Sequence, residues 1–288
     1  MMKYDSGPVE PELVLTRFGR IKLYVRKEEA FVFYATYIAG QYDRLKIRSG
    51  DTVLDLGANV GDFAIKASKL VGENGSVIAV EPDQFSINIL KKNIELNQAW
   101  NVTVINAAVS DREGEALLFG HGNSAMLSDF CIDRSGSGGD IVPVLPIRKI
   151  ISEYCRGKSF ILKLDIEGAE RTVFKEPDFL NQTNQIIAEL HGRENIEAII
   201  RVLIQNEYKV SQYDDVLRVL LTIKNILKHP FQFISNELSN DFVALRNLHS
   251  FLKRENTNPH SDSEQRCVFY ARRSNTPKRN NSEGIKVV

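Results

Sequence analysis

Along the middle of the chain, short apolar runs alternate with segments in which apolar residues recur at helical spacing. Each run is apolar on both faces, as in strands that are covered on both sides. The segments between the runs place their apolar residues on one helical face. Strands that alternate with helices predict a doubly wound α/β domain with a mostly parallel sheet. The predicted strands are residues 52–56, 77–80, 102–105, 160–164 and 185–190, and the predicted helices are 60–70, 85–96, 169–174 and 194–204.

The two ends of the chain depart from this alternation. Two runs of strand formers lie on either side of Phe18-Gly19-Arg20, and apolar residues then recur at helical spacing, so residues 1–44 are predicted to form a hairpin and helix cap. Residues 45–250 form the main domain, with a Gly- and Ser-rich lid loop at 120–140. The basic, polar residues 251–288 form a tail. A last strand is predicted at 267–271, and residues 241–245 compete for that role.

Composition narrows the class of protein. The 288 residues carry 37 Lys and Arg against 37 Asp and Glu, which argues against binding driven mainly by nucleic-acid phosphates. No apolar run is long enough to span a membrane, and the first residues do not resemble a signal peptide, so a cytoplasmic protein is expected. The scattered cysteines Cys131, Cys155 and Cys267 lack the spacing of zinc or redox sites.

The first predicted strand ends in a glycine turn with an acid beside it. In an open parallel sheet, ligands bind at the carboxyl ends of the strands. Gly57 and Gly61 at the strand-to-helix turn let a ligand approach the backbone. The middle position is Asn59 rather than the glycine of a nicotinamide-binding turn, and Asp55 suits an amino group better than a pyrophosphate. A tight turn that binds nothing is the alternative for this motif alone.

The next two strand ends extend this site toward a nucleoside. Glu81 lies about 24 residues after Gly57, where an acid hydrogen-bonds ribose hydroxyls. Helix capping is the alternative role, but Asp83 is better placed for it. The third strand ends at Asn106 and Ala107, which leave room for an adenine. An adenosine joined to an amino acid describes S-adenosylmethionine (SAM), and SAM is therefore the predicted cofactor.

The fourth and fifth strand ends carry the reactive side chains. Alternation along a strand puts Asp165 and Glu167 on one face, and Glu189 and His191 likewise share a face. Neighbouring strand ends therefore present carboxylates and an imidazole to one place, and polar groups on buried strands are costly unless they are partnered or used. A hydrogen-bonded structural histidine is the alternative for His191 alone. As part of this cluster, we interpret it as functional.

Four motifs follow one another in a characteristic order and spacing. They are Gly57-Ala-Asn-Val-Gly61, Asn106-Ala-Ala-Val-Ser-Asp111, Lys163-Leu-Asp-Ile-Glu-Gly-Ala-Glu170 and Glu189-Leu-His-Gly192. Together, over about residues 45–195, they resemble the FkbM-type family of class I SAM-dependent methyltransferases. The resemblance implies a seven-stranded Rossmann-like sheet and methyl transfer, commonly to a hydroxyl of a sugar, polyketide or related small molecule. The cofactor residues that it implies are Asp55, Gly57, Ala58, Asn59 and Gly61 for the methionine side, Glu81 for the ribose, Ala107 for the adenine edge, and Asp165 for the methionine amine and methyl.

Methyl transfer to an aliphatic hydroxyl needs a base, because such a hydroxyl is a weak acid. We expect His191, oriented by Glu189 or Glu167, to take that proton. In a second version, Asp165, Glu189 and His191 hold a divalent cation that polarises the acceptor oxygen, although no ligand spacing in the sequence requires a metal.

The acceptor is expected to be a small hydroxyl-bearing molecule rather than a nucleic acid. After the fourth strand the chain reads Asp165-Ile-Glu-Gly, not the Asn/Asp-Pro-Pro-aromatic segment expected for methylation of nucleic-acid bases at nitrogen. N-methyl transfer and a non-catalytic SAM-binding interaction module are the alternatives. The lid residues proposed to help select the acceptor are His121, Asn123, Ser124, Met126 and Asp129.

Overall fold

A computed structural model describes residues 12–120, 126–127, 139–212, 215–231 and 266–274. The strands are β1 (Leu13–Phe18), β2 (Ile21–Arg26), β3 (Thr52–Leu56), β4 (Ser76–Glu81), β5 (Val102–Asn106), β6 (Ala108–Ser110), β7 (Gly114–Phe119), β8 (Met126–Leu127), β9 (Asp140–Pro146), β10 (Phe160–Leu164), β11 (Thr183–His191), β12 (Tyr208–Gln212) and β13 (Arg266–Arg273). The α-helices are α1 (Phe31–Phe33), α2 (Asp62–Val71), α3 (Gln84–Asn97), α4 (Ile147–Ile150), α5 (Glu170–Val173), α6 (Arg193–Gln205) and α7 (Asp215–Lys228).

The main sheet has seven strands in the order β5-β4-β3-β10-β11-β13-β12. The five strands from β5 to β11 are parallel, and β13 runs antiparallel to both of its neighbours. This arrangement confirms the predicted doubly wound fold. The expected last strand at 267–271 corresponds to β13, whereas residues 241–245 lie outside the described residues. Because β13 lies inside the sheet, part of the predicted tail is integral to the fold.

Apolar side chains cover the sheet on both faces. Along β3, Val53 belongs to the core beneath α2 and α3, whereas Leu54 and Leu56 belong to the core on the opposite face. All three side chains are inaccessible to solvent. Burial on both faces explains why the strand reads as an uninterrupted apolar run rather than as an alternating one.

The N-terminal hairpin of β1 and β2 docks on α3 through two asparagines one helical turn apart. The side chain of Asn93 accepts from the backbone N–H of Tyr24 at 2.7 Å and donates to its carbonyl at 2.9 Å. Asn97 makes the same pair of bonds with the backbone of Lys22. The side-chain amides thus satisfy backbone groups at the edge of β2, which fixes the cap on the main domain.

The helix predicted within the N-terminal cap consists of three short turns. A 3-10 turn at Lys27–Glu29 leads into α1, and a π-helical turn at Tyr34–Ile38 follows. Phe33 and Tyr37 stack with their ring centroids 5.2 Å apart and are buried. The apolar spacing thus predicts the buried face correctly, while packing of the large rings determines the local geometry.

A second sheet, in the order β6-β9-β7-β8, lies beside the main one. The sequence analysis did not predict this sheet, although Val142 and Val144 alternate with exposed positions in β9 and are buried. The predicted lid at 120–140 overlaps β8 and the first residue of β9. Met126 lies in β8, while the other lid residues proposed for acceptor selection, His121, Asn123, Ser124 and Asp129, lie outside the described residues.

Candidate active site

A cleft opens at the carboxyl ends of the central strands. Its walls include Gly57 after β3, Glu81 at the end of β4, Asp165 after β10 and Glu189 near the end of β11. The strand order reverses between β3 and β10, and ligands bind at such a switch point in open α/β sheets. The N-terminal turns and the second sheet add further wall residues, among them Thr36 and Leu118.

The glycine turn after β3 is held tightly against neighbouring backbone. The N–H groups of Gly57 and Ala58 both donate to the carbonyl of Val80 at 3.0 Å. Gly57 has a φ of +80°, and a β-carbon there would lie 1.7 Å from the backbone oxygen of Asp165. Only glycine fits this position.

Glu81 fastens the glycine turn to the second strand. Its two carboxylate oxygens accept from the backbone N–H groups of Asn59 at 2.7 Å and of Asp83 at 2.9 Å. Asp83 caps α3 by accepting from Phe85 and Ser86, as the sequence analysis expects. Glu81 is therefore not needed as a cap, and its carboxylate, which has lone pairs to spare, lies on the cleft wall.

Asp55 lies beneath the cleft wall and is paired with Lys163. The Lys163 Nζ is 3.2 Å from Asp55 Oδ1 and 3.9 Å from Asp165 Oδ2, and it also donates to the carbonyl of Gly57. Asp55 is completely buried, and neither of its oxygens has a hydrogen bond to another described residue. Lys163 thus stands between Asp55 and the cleft, in the place where the sequence led us to expect direct contact of Asp55 with the methionine amine.

The other predicted cofactor residues are divided between the cleft and its surroundings. Ala58 and Ala107 are buried behind the wall, and Gly61 packs on Leu90. Asn106 is exposed and donates to Gln84 at 2.6 Å. Where Ala107 was expected at the adenine edge, the wall instead contains Ala108 and Val109.

His191 is held by two glutamates from the loop and helix after β10. Its Nδ1 lies 2.8 Å from Oε1 of Glu170, and its Nε2 lies 3.4 Å from Oε2 of Glu167. The His191 side chain is 13% exposed, and Nε2 has no hydrogen-bond partner in the described part of the chain. Burial lowers the pKa of His191, but the hydrogen bond and charge of Glu170 and the charges of Glu167 and Asp165 outweigh it, so the pKa is raised.

The geometry does not support the sequence prediction that Glu189 orients His191. Glu189 accepts instead from the Gln41 side chain of the N-terminal segment at 3.1 Å. The groups that lie together are Asp165, Glu167 and His191, whose potential ligand atoms are all within 4.8 Å of one another. Glu167 therefore takes the place that Glu189 held in the predicted metal site. The sequence analysis missed Glu170, although it ends the quoted motif three residues after Glu167.

Two non-glycine residues of the cleft wall have a positive φ, and one of them is strained. Asn59 has a φ of +47° and Glu167 a φ of +50°, a conformation that L-residues other than Asn and Asp rarely adopt. The remaining non-glycine residues with positive φ in the described ranges are at or just beyond helix ends, where this conformation is common. Asparagine adopts this conformation readily, whereas the strain at Glu167 has no such local explanation and is typical of functional sites.

The charge of the cleft fits a cationic ligand. Five carboxylates and one ammonium, that of Lys163, belong to the described wall; the acids are Asp62, Glu81, Asp165, Glu167 and Glu189. Such a wall repels phosphates and attracts positive charge. SAM carries a sulfonium and an ammonium against one carboxylate, so the acidic wall suits this cofactor.

Together, the sheet order with its antiparallel β13, the glycine turn and the acidic strand ends define a class I, Rossmann-like methyltransferase. Residues 55–225 match the family described as the methyltransferase FkbM domain. Since this match covers more than half of the 288 residues, the chain belongs to that family, and its cofactor is SAM.

Curated relatives match over shorter segments. The chain is 34% identical over 73 residues to the "Probable cobalt-precorrin-6B C(15)-methyltransferase (decarboxylating)" of Saccharolobus solfataricus, which covers 25% of this chain and 37% of that protein. It is 36% identical over 69 residues to the ribosomal protein L11 methyltransferase of Acetivibrio thermocellus, covering 24% of this chain and 21% of that one. The chain therefore spans well under half the length of either relative.

Solved structures that are similar to the chain include two methyltransferases. A SAM-dependent O-methyltransferase from Thermotoga maritima has a TM-score of 0.41 at 10% identity, covering 85% of this chain and 66% of the other. The tRNA m1G37 methyltransferase of M. jannaschii has a TM-score of 0.42 at 12% identity, covering 94% and 59%. No helix in the described ranges is long and apolar enough to cross a membrane.

Cofactor binding should strengthen as the pH rises through neutrality. Burial, opposed by the backbone hydrogen bonds from Asp83 and Asn59, raises the pKa of Glu81 to about 7. A cation binds better to the ionised form, so the dissociation constant for SAM should be about tenfold larger at pH 6 than at pH 8. Calorimetric titration at both pH values measures it. Glu81→Gln should bind more weakly with a flatter pH dependence, and an equally steep dependence in this variant would assign the effect elsewhere.

The free energy of unfolding of the protein without SAM should fall as the pH rises, whereas its affinity for SAM should increase. Burial also raises the pKa of Asp55 to about 7, although Lys163 opposes the shift. Between about pH 4 and 7, the folded protein keeps protons on Asp55 and Glu81 that the unfolded chain has released. Their contribution to the free energy of unfolding therefore falls as the pH rises through this window. Thermal unfolding of Glu81→Gln against the parent, with and without SAM, separates this effect from cofactor binding.

Proposed function

We propose that this methyltransferase transfers the methyl group of SAM to a hydroxyl oxygen of a sugar, polyketide or related small molecule. The observation that carries the proposal is the state of His191. Its Nδ1 lies against a carboxylate, while Nε2 has no hydrogen bond to any described residue and lies beside Glu167, which is on the cleft wall. Nε2 is itself buried and His191 is not part of the described wall, so an acceptor reaches this atom only by binding directly beside Glu167. An imidazole with one nitrogen anchored and the other without a hydrogen bond is suited to take a proton from a weakly acidic alcohol.

Each residue of the site has its own role. Glu81 hydrogen-bonds the ribose, and Asn59 and Gly57 line the methionine side. Asp55 does not contact the cofactor itself but holds Lys163, which lies on the cleft wall. Bound SAM supplies an electrophilic methyl group on a positively charged sulfur. As the acceptor oxygen forms its bond to the methyl carbon and the carbon–sulfur bond breaks, Nε2 of His191 takes the hydroxyl proton. The strained loop at Glu167 and the side chain of Asp165 position the acceptor.

The charge of the cleft supports an uncharged acceptor. Glu167 and Glu189 lie on the wall at the ends of β10 and β11, and a phosphate or carboxylate brought close to them would meet like charge. A neutral polyol or alcohol meets no such repulsion. This favours a small hydroxyl compound over a nucleic acid, even though the chain is similar in fold to a tRNA methyltransferase.

A metal-assisted version of the same function would use His191 and the carboxylates beside it. Asp165, Glu167 and His191 offer two carboxylates and an imidazole within 4.8 Å, a ligand set that suits several divalent cations. A bound cation would polarise the acceptor oxygen and replace the base. Activity that is lost with a chelator and regained with one metal would favour this version. Undiminished activity in the chelator would leave His191 as the base.

The test is an acceptor screen with SAM labelled in its methyl group. The panel contains methyl glycosides, macrolactone alcohols, primary amines, carboxylic acids and tRNA. We expect label in an alcohol, and the product should resist dilute alkali, because a methyl ether is stable where a methyl ester releases methanol. Label found only in amines or in tRNA would overturn the proposal. Binding of SAM with no transfer to any member would instead favour a non-catalytic binding module.

A further inference from the structure

Glu170 is a completely buried acid at the start of α5. Its Oε1 accepts from the backbone N–H of Gly168 at 2.9 Å and lies 2.8 Å from Nδ1 of His191. Its Oε2 has no hydrogen bond to any residue in the described ranges. No other described side chain lies within hydrogen-bond distance of Nδ1, so Glu170 alone sets the environment of that ring nitrogen.

This contact determines which nitrogen of His191 carries the proton. An ionised carboxylate can only accept hydrogen bonds, so Nδ1 must be the protonated nitrogen in the neutral ring. Nε2 then carries the lone pair. Without the carboxylate, the ring could place its hydrogen on Nε2 and donate it toward Glu167, 3.4 Å away. In that form Nε2 could not accept a proton.

A purely structural role explains the position of Glu170 poorly. Helix α5 is a single turn of four residues, and the bond to Gly168 could be made equally well by a neutral side chain. Burying a carboxylate with an unsatisfied oxygen is energetically unfavourable. The negative charge itself is explained if it orients the imidazole beside it, as carboxylates do when they hydrogen-bond one ring nitrogen of a functional histidine.

We propose that Glu170 is the positioning residue for His191: it holds the ring with Nδ1 protonated, so that Nε2 presents a lone pair toward the acceptor side of the cleft. The effect on turnover rests on the proposed function above. The tautomer, in contrast, is a property of the free protein. It can be tested whether or not an acceptor is known.

The test combines nitrogen NMR of the histidine rings with cofactor binding and turnover. The protein is labelled with ¹⁵N-histidine, and His191 is assigned among the five histidines by the signal that disappears in His191→Gln. In the parent protein we expect the Nδ1–H tautomer once the pH exceeds the raised pKa of His191, which the titration of its ring signals locates. Glu170→Gln should change the tautomer and lower kcat by about 100-fold or more, with the dissociation constant for SAM within about threefold of the parent value.

Glu170→Asp, which keeps the charge, should retain the tautomer and recover much of the lost turnover. Glu194→Gln removes an exposed carboxylate near the start of α6 and should change neither quantity. An Nε2–H tautomer in the parent would overturn the proposal even if Glu170→Gln fails to fold. So would a Glu170→Gln protein with the parent tautomer and turnover. If the parent binds SAM but methylates nothing in the panel, the proposed function fails, while the spectra still decide the role of Glu170.

Discussion

His191→Ala should lower kcat by about 100- to 10,000-fold while leaving the affinity for SAM unchanged. The ring is the base in the proposed reaction, and an aliphatic hydroxyl does not lose its proton unaided. His191 is absent from the described wall that the cofactor would contact, and its polar neighbours are Glu167 and Glu170. Steady-state kinetics with an acceptor from the screen, together with calorimetric titration of SAM, give both quantities.

Two controls separate chemistry from folding in this experiment. His229 packs edge-on against Phe18 of the hairpin, with the ring centroids 4.5 Å apart, and is not part of the described cleft wall, so His229→Gln should keep the parent kcat. Added imidazole should partly restore turnover to His191→Ala if the lost group is a base. A His191→Ala enzyme that turns over at the parent rate would exclude His191 as the base.

The strand ends of the fold could be predicted because their residues differ so strongly from the strands that precede them. Glu81 follows an apolar run, and Asp83 has the offset from α3 that a cap requires, so the sequence correctly assigns the cap to Asp83. Strands buried on both faces and one-sided helices also leave clear periodicities. The family motifs lie at these same places, which is why the fold and the cofactor followed from the sequence.

The partners of the reactive side chains could not be predicted in the same way. Alternation along β11 correctly puts Glu189 and His191 on one face, yet Glu189 bonds to Gln41, a residue 148 positions away. Glu170 reaches His191 because the strained turn at Glu167 and Gly168 brings the start of α5 back to the sheet. Likewise, Lys163 covers Asp55 only because β3 and β10 pair in a particular register. Such contacts depend on tertiary packing, which leaves no periodic pattern in a single sequence.

Gly57→Ala should destabilise the protein by more than about 4 kcal/mol, an effect at the upper end for a single substitution. The new β-carbon would lie 1.7 Å from the backbone oxygen of Asp165, and a backbone atom cannot move aside as a flexible side chain can. Relief requires separating the turn after β3 from the turn after β10, and both turns belong to the cofactor cleft. Any protein that folds should therefore bind SAM at least tenfold more weakly, as measured by thermal unfolding and calorimetric titration.

Gly19→Ala is the matched control, because it isolates the cost of backbone conformation from that of the collision. Gly19 also has a positive φ, +60°, but no described residue lies within 4 Å of the β-carbon that alanine would add. Placing an L-residue in this conformation costs about 1 to 2 kcal/mol, so Gly19→Ala should lose about that much stability and keep the parent affinity for SAM. The difference between the two variants measures how closely β3 and β10 must approach to build the cofactor site. If both variants lost the same stability and kept the same affinity for SAM, the turn at Gly57 would be able to move without cost. The close contact with Asp165 would then not be needed to bind SAM.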